Sequence, residues 1–154
     1  MDFPAHIIWS LALFKSYSWQ AQAVFFGVLP DLVFAVPAVY FWLKLGRPRS
    51  YAKIFPHVEP FYRLGHSAVS MLAFFAVASI YFGSPYWPAL AGWSLHILLD
   101  VPFHKGGFVN GIAPFHPVSK RRVLGKWWWR EVVQKKPWIA VANYALALLV
   151  YFVA

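Results

Sequence analysis

The chain has 154 residues, of which 60% are hydrophobic and only 12% charged, and its mean hydropathy is +0.53. A soluble domain of ordinary composition carries about 25% charged residues, and a chain this short cannot wrap so many apolar helices in polar ones, which argues against a soluble core. The net charge of +9 is gathered in two stretches, which argues for a membrane surface rather than a nucleic-acid partner, and the absence of cysteine excludes a disulfide framework and a thiolate metal site.

In chain order, Met1-Asp2-Phe3-Pro4 has no basic region and no small-residue cleavage motif after it, so a cleavable signal is not expected. Residues 4–17 are apolar and predicted helical, but short for a full span. Trp19-Gln20-Ala21-Gln22 reads as a polar break. A helix is predicted over 21–43, kinked by Pro30 and Pro37, and between Ser16 and Leu43 its one charged residue is Asp31. Residues 44–65 read as a basic loop with Lys44, Arg47, Arg49, Lys53 and Arg63, and with Pro48, Pro56 and Pro60.

A clean apolar helix follows over 66–82, then a tight Gly83-Ser84-Pro85 turn, then a helix over 86–101 that Pro102 helps to end. Asp100 is the one charged residue between His66 and Phe103. Residues 104–137 are basic, with Lys105, Lys120, Arg121, Arg122, Lys126, Arg130, Lys135 and Lys136. Within them Trp127-Trp128-Trp129 suits the head-group zone. A last helix is predicted over 138–154. A span needs roughly 17–25 mainly apolar residues. The expectation is therefore a single all-α membrane domain over 1–154, a polytopic protein with about four transmembrane helices plus a short N-terminal apolar helix. The 66–82 and 86–101 helices form a hairpin, so both basic segments fall on one face. That face is the cytoplasmic one, because cytoplasmic loops are enriched in Lys and Arg. The predicted location is the inner (cytoplasmic) membrane, with membrane lipids as partners.

Ionisable groups inside apolar helices are costly and mark candidate functional sites. His96 and Asp100 stand at i and i+4, on one helical face, where they can ligate one metal or form a structural His–Asp hydrogen bond. His66, in Gly65-His66-Ser67, opens the preceding helix and comes level with Asp100 by the hairpin argument; otherwise it is an interfacial or capping histidine. Asp31 follows Pro30 inside an apolar run. It must meet a cation, a proton or a strong donor, whether at a cavity-lining break or as a hydrogen-bonded group that stabilises a kink. His6 reaches the same cavity if residues 4–17 dip in from the cytoplasmic side. His104 and His116 are outer ligands, acid–base groups or ordinary loop histidines, and His57 and Glu59 are ordinary loop residues.

His6, Asp31, His66, His96 and Asp100 together offer three imidazoles and two carboxylates, a set that suits zinc or a related divalent metal such as manganese. Such a metal lowers the pKa of water and polarises a phosphoryl or carbonyl oxygen. Of the two carboxylates, Asp31 and Asp100, one not engaged as a ligand can act as general base. Neither a Gly-x-Ser-x-Gly elbow nor a P-loop is present, which leaves metal-activated water as the hydrolytic route.

At these residues the chain resembles the membrane-bound, metal-dependent hydrolase family often called YdjM-like. That family's pattern is an early His, a Leu-Pro-Asp step, a His-Ser pair opening a helix, and a later His-x-x-x-Asp. Here these read His6, Leu29-Pro30-Asp31, His66-Ser67 and His96 to Asp100. The chain departs from the pattern at Val33, where a second Asp is frequent, and at Tyr62-Arg63, where a His-Arg is frequent. The resemblance implies a metal-dependent hydrolase related to zinc phospholipase C-like enzymes. The expected activity is hydrolysis of a phosphoester or related ester in a lipid or amphiphilic substrate, whose anionic head group the basic loops hold. Arg63, Lys105, His104 and His116 are the candidate substrate contacts. The alternatives are a non-enzymatic membrane scaffold, whose polar residues pair with one another, and an ion- or proton-coupled transporter. The transporter lacks a polar track on the Gly83–Pro85 side.

Overall fold

The structure is a computed structural model that describes residues 1–106 and 110–153. Residues 107–109 of the basic segment, and Ala154 at the end of the last expected helix, lie outside the described residues. Among the described residues the chain is helical, with no strand and only two isolated bridges, His104 with Trp128 and Ile112 with Val123.

The first helix, α1 (Phe3–Leu13), starts where Asp2 caps the Ala5 amide at 3.2 Å and Pro4 fills a first-turn position that needs no donor. It stops at Leu13, earlier than the apolar run predicts and before the Lys15–Ser18 stretch. The second helix, α2 (Gln20–Lys44), carries both internal prolines and has 25 residues. At 1.5 Å per residue it is about 37 Å long, enough to cross a hydrocarbon core of about 30 Å.

The segment expected to be a basic loop instead contains a helix, α3 (Phe55–Gly65). Its prolines misdirect the reading: Pro56 falls in the first turn, where the missing amide matters least. Val58, Tyr62 and Gly65 form its buried face. After a 56° bend at His66 and Ser67 comes α4 (Ala68–Phe82), opened by Ser67, whose Oγ accepts from the Ser70 amide. Gly83 then adopts a left-handed conformation (φ 66°) and reverses the chain into α5 (Trp87–Asp100). The Val101–Phe103 3₁₀ turn continues α5. A short α6 (Trp129–Lys135) meets α7 (Pro137–Val153) at a bend of 108°.

Among the described residues, only α2 is by itself long and apolar enough to cross a membrane; three spans result if α3 with α4 and α6 with α7 each count as one bent span. With 15 and 14 residues, α4 and α5 are about 22 Å long, short of the hydrocarbon thickness. Large apolar side chains such as Val77, Ile80, Tyr81, Phe152 and Val153 project outward.

The centre of the fold is α2, packed on α5, α3 and α1, while α1 also leans on α7. Phe26, Met71, Ala89, Trp93 and Ile97 fill the core between α2, α4 and α5. Two close backbone approaches position the site. Gly92 of α5 lies against Ala23 and Gly27 of α2, and Gly65 lies against Pro30, where a Cβ would stand 2.8 Å from the Pro30 carbonyl oxygen. Alanine is ordinarily about 1 kcal/mol better than glycine inside a helix. Gly92→Ala is expected to reverse that sign and destabilise by about 1–3 kcal/mol, because its methyl would collide with the Ala23 carbonyl and stand 2.9 Å from the Gly27 nitrogen. Thermal unfolding in detergent checks this: the Tm must fall.

Candidate metal centre

Five elements deliver the polar cluster. α1 brings His6, α2 brings Asp31, the α3–α4 bend brings His66, α5 brings His96 and Asp100, and the 3₁₀ turn after α5 brings His104. His96, Asp100 and His104 stand four residues apart. The 3₁₀ turn keeps the third of them on the face of the first two. His6, His66, His96 and Asp100 are each at most 1% exposed.

The Asp100 carboxylate is the hub. Its Oδ1 lies 3.1 Å from His6 Nε2 and also bonds to the amino group of Met1. Its Oδ2 lies 3.1 Å from His66 Nε2, 3.3 Å from His96 Nε2 and 3.7 Å from His104 Nε2. Asp31 Oδ1 lies 3.9 Å from His96 Nε2, and its side chain keeps 24% exposure, unlike that of Asp100.

Backbone carbonyls decide which ring nitrogen faces the centre. His66 Nδ1 donates to Tyr62 O at 2.9 Å, His96 Nδ1 to Gly27 O at 2.7 Å, and His104 Nδ1 to Asp100 O at 2.8 Å. A carbonyl only accepts, so Nδ1 carries the proton in each ring, and the neutral ring turns an Nε2 lone pair inward. Gly92, with no side chain, lets α5 come close enough to α2 for His96 to reach the Gly27 carbonyl. His6 is oriented differently. Its ring stacks on His96, with centroids 3.8 Å apart, and its Nδ1 is buried without a partner. Burial pushes the His104 pKa down to about 4, against the pull of Asp100, so that ring is neutral at neutral pH.

These residues fit a divalent cation. The Nε2 atoms of His66 and His96 are 3.2 Å apart, and two lone pairs at that distance repel unless a proton or cation lies between them. Ligand atoms about 2.1 Å from a tetrahedral ion stand about 3.4 Å from one another. The separations of 3.1, 3.2 and 3.3 Å around Asp100 are close to that. Three overlapping ligand groups result: His6, His96 and Asp100; Asp31, His66 and His96; and His66, Asp100 and His104. Two carboxylates balance one dication, which removes the cost of isolated buried charge.

All five residues expected as ligands come together here. His104, expected among the substrate contacts, joins them; the spacing from His96 and Asp100 was the signal, hidden by Pro102, which occupies a first-turn position of the 3₁₀ turn and does not interrupt it. Tyr62 carried no metal-site signal, yet its ring stacks on His66 at 4.0 Å and its hydroxyl is buried without a partner. Arg63 lies in an ion-pair network: Glu59 Oε1 accepts from Arg63 Nη2 at 2.6 Å and from Arg122 Nη2 at 2.8 Å. His116 is outside the ligand groups, and its backbone carbonyl accepts from Ser67 Oγ. His57 stacks on Phe41. Lys105 bonds through its amide to Trp127 O at 2.9 Å, and its side chain lines a separate cavity.

Comparison with protein-family models, curated proteins and solved structures finds no match to the chain. The geometry therefore stands alone. A ligand present at about 100 times its Kd stabilises the folded state by about 2.7 kcal/mol. Zinc or manganese at such an excess is expected to raise the Tm over that in chelator, for the wild type and for His57→Ala but not for His66→Ala.

Proposed function

We propose that the protein is a membrane-bound, metal-dependent hydrolase acting on a phosphoester or related ester of a lipid or amphiphilic substrate. One observation carries the proposal: three imidazoles, each held at Nδ1 by a backbone carbonyl, turn bare Nε2 atoms toward one buried carboxylate. This outer-shell arrangement is how metal-ligating histidines are oriented. The residues that resemble the YdjM-like family are the same ones, and the reaction class is taken from that resemblance.

His66, His96 and Asp100, whose facing atoms lie 3.1–3.3 Å apart, would hold a divalent ion with His6 or His104 completing the set, zinc first and manganese second by donor chemistry. When bound, an ion of this kind acidifies water and polarises the substrate oxygen. Asp31 is the stronger candidate for general base. It is partly exposed and makes only a 3.9 Å approach to His96, whereas both Asp100 oxygens face ligand nitrogens. Asp31 accepts a proton from the attacking water, and Asp100 stays ionised to hold the rings in register. Arg63 and Lys105 hold the anionic head group on the cytoplasmic side of an inner membrane that α2, α3 with α4, α5, and α6 with α7 traverse or enter.

Elemental analysis of the detergent-purified protein tests the centre. About one equivalent of zinc or manganese is expected in the wild type, and it should be lost in His96→Ala and Asp100→Ala. Retention of metal in both variants sinks the proposal, and absence of metal after reconstitution makes the cluster the hydrogen-bonded core of a scaffold. Asp31→Asn is expected to keep the metal and to lower hydrolysis of phosphorylated lipids by about 10²-fold or more, the scale of general-base catalysis.

Topology has its own test, made clean by the absence of native cysteine. Ser50→Cys and Ser119→Cys are expected to react with an impermeant maleimide only from the cytoplasmic face, and Ser84→Cys only from the opposite one. Labelling of all three from one side would overturn the hairpin orientation.

A further inference from the structure

A second cavity, of about 370 Å³, opens where α6 meets the segment after α5. That volume falls in the range of small-ligand pockets. Its walls include Lys105, Lys126, Lys135 and Lys136, with Glu131 as the acidic residue and Trp127 and Trp128 as aromatic surfaces. Glu131 pairs with Lys135 at 3.1 Å. Lys126 lies over the Trp127 ring at 5.1 Å, and among the described residues the ammonium groups of Lys105, Lys126 and Lys136 have no carboxylate partner. A concave surface with three uncompensated cations calls for an anion. The neighbouring geometry says at what depth. The α6–α7 bend is 108°, so if α7 runs across the bilayer, α6 lies roughly along its surface. Tryptophan and lysine then sit together at head-group level, where both are favoured. The cavity also adjoins the metal centre, because Lys105 directly follows His104 and Trp128 bridges to His104.

We infer that this cavity is a docking site for the phosphate of an anionic phospholipid, held by Lys105, Lys126 and Lys136 against the Trp127 and Trp128 rings. The inference deepens the hydrolase proposal by giving the head group a seat beside the metal ligands, and it rests on that proposal for the substrate class. Binding itself needs no metal. The occupant is a lipid rather than a soluble phosphate ester because the aromatic walls and the α6–α7 bend put the cavity at the level where lipid phosphates lie.

The test is native mass spectrometry of delipidated protein in detergent, titrated with phosphatidylglycerol, with phosphatidylcholine for comparison. One phosphatidylglycerol is expected to bind in preference to phosphatidylcholine. Lys126→Gln/Lys136→Gln is expected to weaken it about tenfold or more, while Lys126→Arg/Lys136→Arg retains it. Arg47→Gln/Arg49→Gln removes the same charge from the other basic segment and is expected to leave binding unchanged. Equal loss in the two Gln pairs would reduce the effect to diffuse surface charge and overturn the site. Inorganic phosphate binding as tightly as the lipid would overturn the lipid as its source. Metal content is measured on the same preparations, so an empty metal centre with intact lipid binding, or the reverse, shows which of the two proposals has failed.

Discussion

The constraint on which the rest of this structure depends is the burial of Asp100. Its carboxylate is almost fully removed from water, and an isolated buried charge is far too costly to persist. The amino group of Met1 pairs with it, and four imidazoles from four elements surround it, three of them turning an Nε2 lone pair rather than a proton toward it. The tautomer is therefore as much a part of the design as the distance. It is fixed not by further side chains but by main-chain carbonyls of Tyr62, Gly27 and Asp100 itself. Such acceptors do not titrate, so the orientation of these rings is insulated from pH outside the cluster.

The Tyr62 and Asp100 carbonyls lie four residues before the rings they orient, whereas the Gly27 carbonyl reaches His96 only because two helices come close. Gly92 lets α2 and α5 approach to backbone distance, and Gly65 does the same for α3 against Pro30. In lipid, where apolar side chains gain little by facing each other, small residues at a crossing are the ordinary route to tight packing. Trp93 reinforces this by donating its indole N–H to the Gly65 carbonyl at 2.6 Å. The same contacts that hold the helices together thus aim His96 and His66.

Much of this was legible in the sequence because the relevant signals are local. The charge-poor runs marked α2, α4, α5 and α7, and the four-residue step from His96 to Asp100 put both on one face. A tight turn at Gly83 was enough to bring His66 level with Asp100, and they are 3.1 Å apart across their side chains. Two of the errors share one cause, which is proline. Pro56 and Pro60 concealed α3, and Pro102 looked like the end of the helical face on which His104 lies. In both places a proline occupies a first turn, where no amide is required. The tautomer of His96 was not legible, because it depends on a contact with Gly27 of another helix that no spacing rule reports, and the four-residue steps from Tyr62 to His66 and from Asp100 to His104 were hidden with α3 and the 3₁₀ turn.

The cluster of histidines and aspartates spans positions 6 to 104, and this has a consequence for biosynthesis. At about 5–20 residues per second, roughly 5 to 20 s separate the appearance of His6 from that of His104. His6 must wait longer still. Its helix is fastened by α7, through Trp9 to Asn143 at 3.1 Å and Tyr144 to Asp2 at 2.6 Å. Of the described helices the earliest, α1, is thus among the last to find its neighbour. Until α7 emerges, a half-assembled cluster of Asp31, His66, His96, Asp100 and His104 is open on the side that α1 will close, which leaves a route by which an ion can enter before the chain is complete.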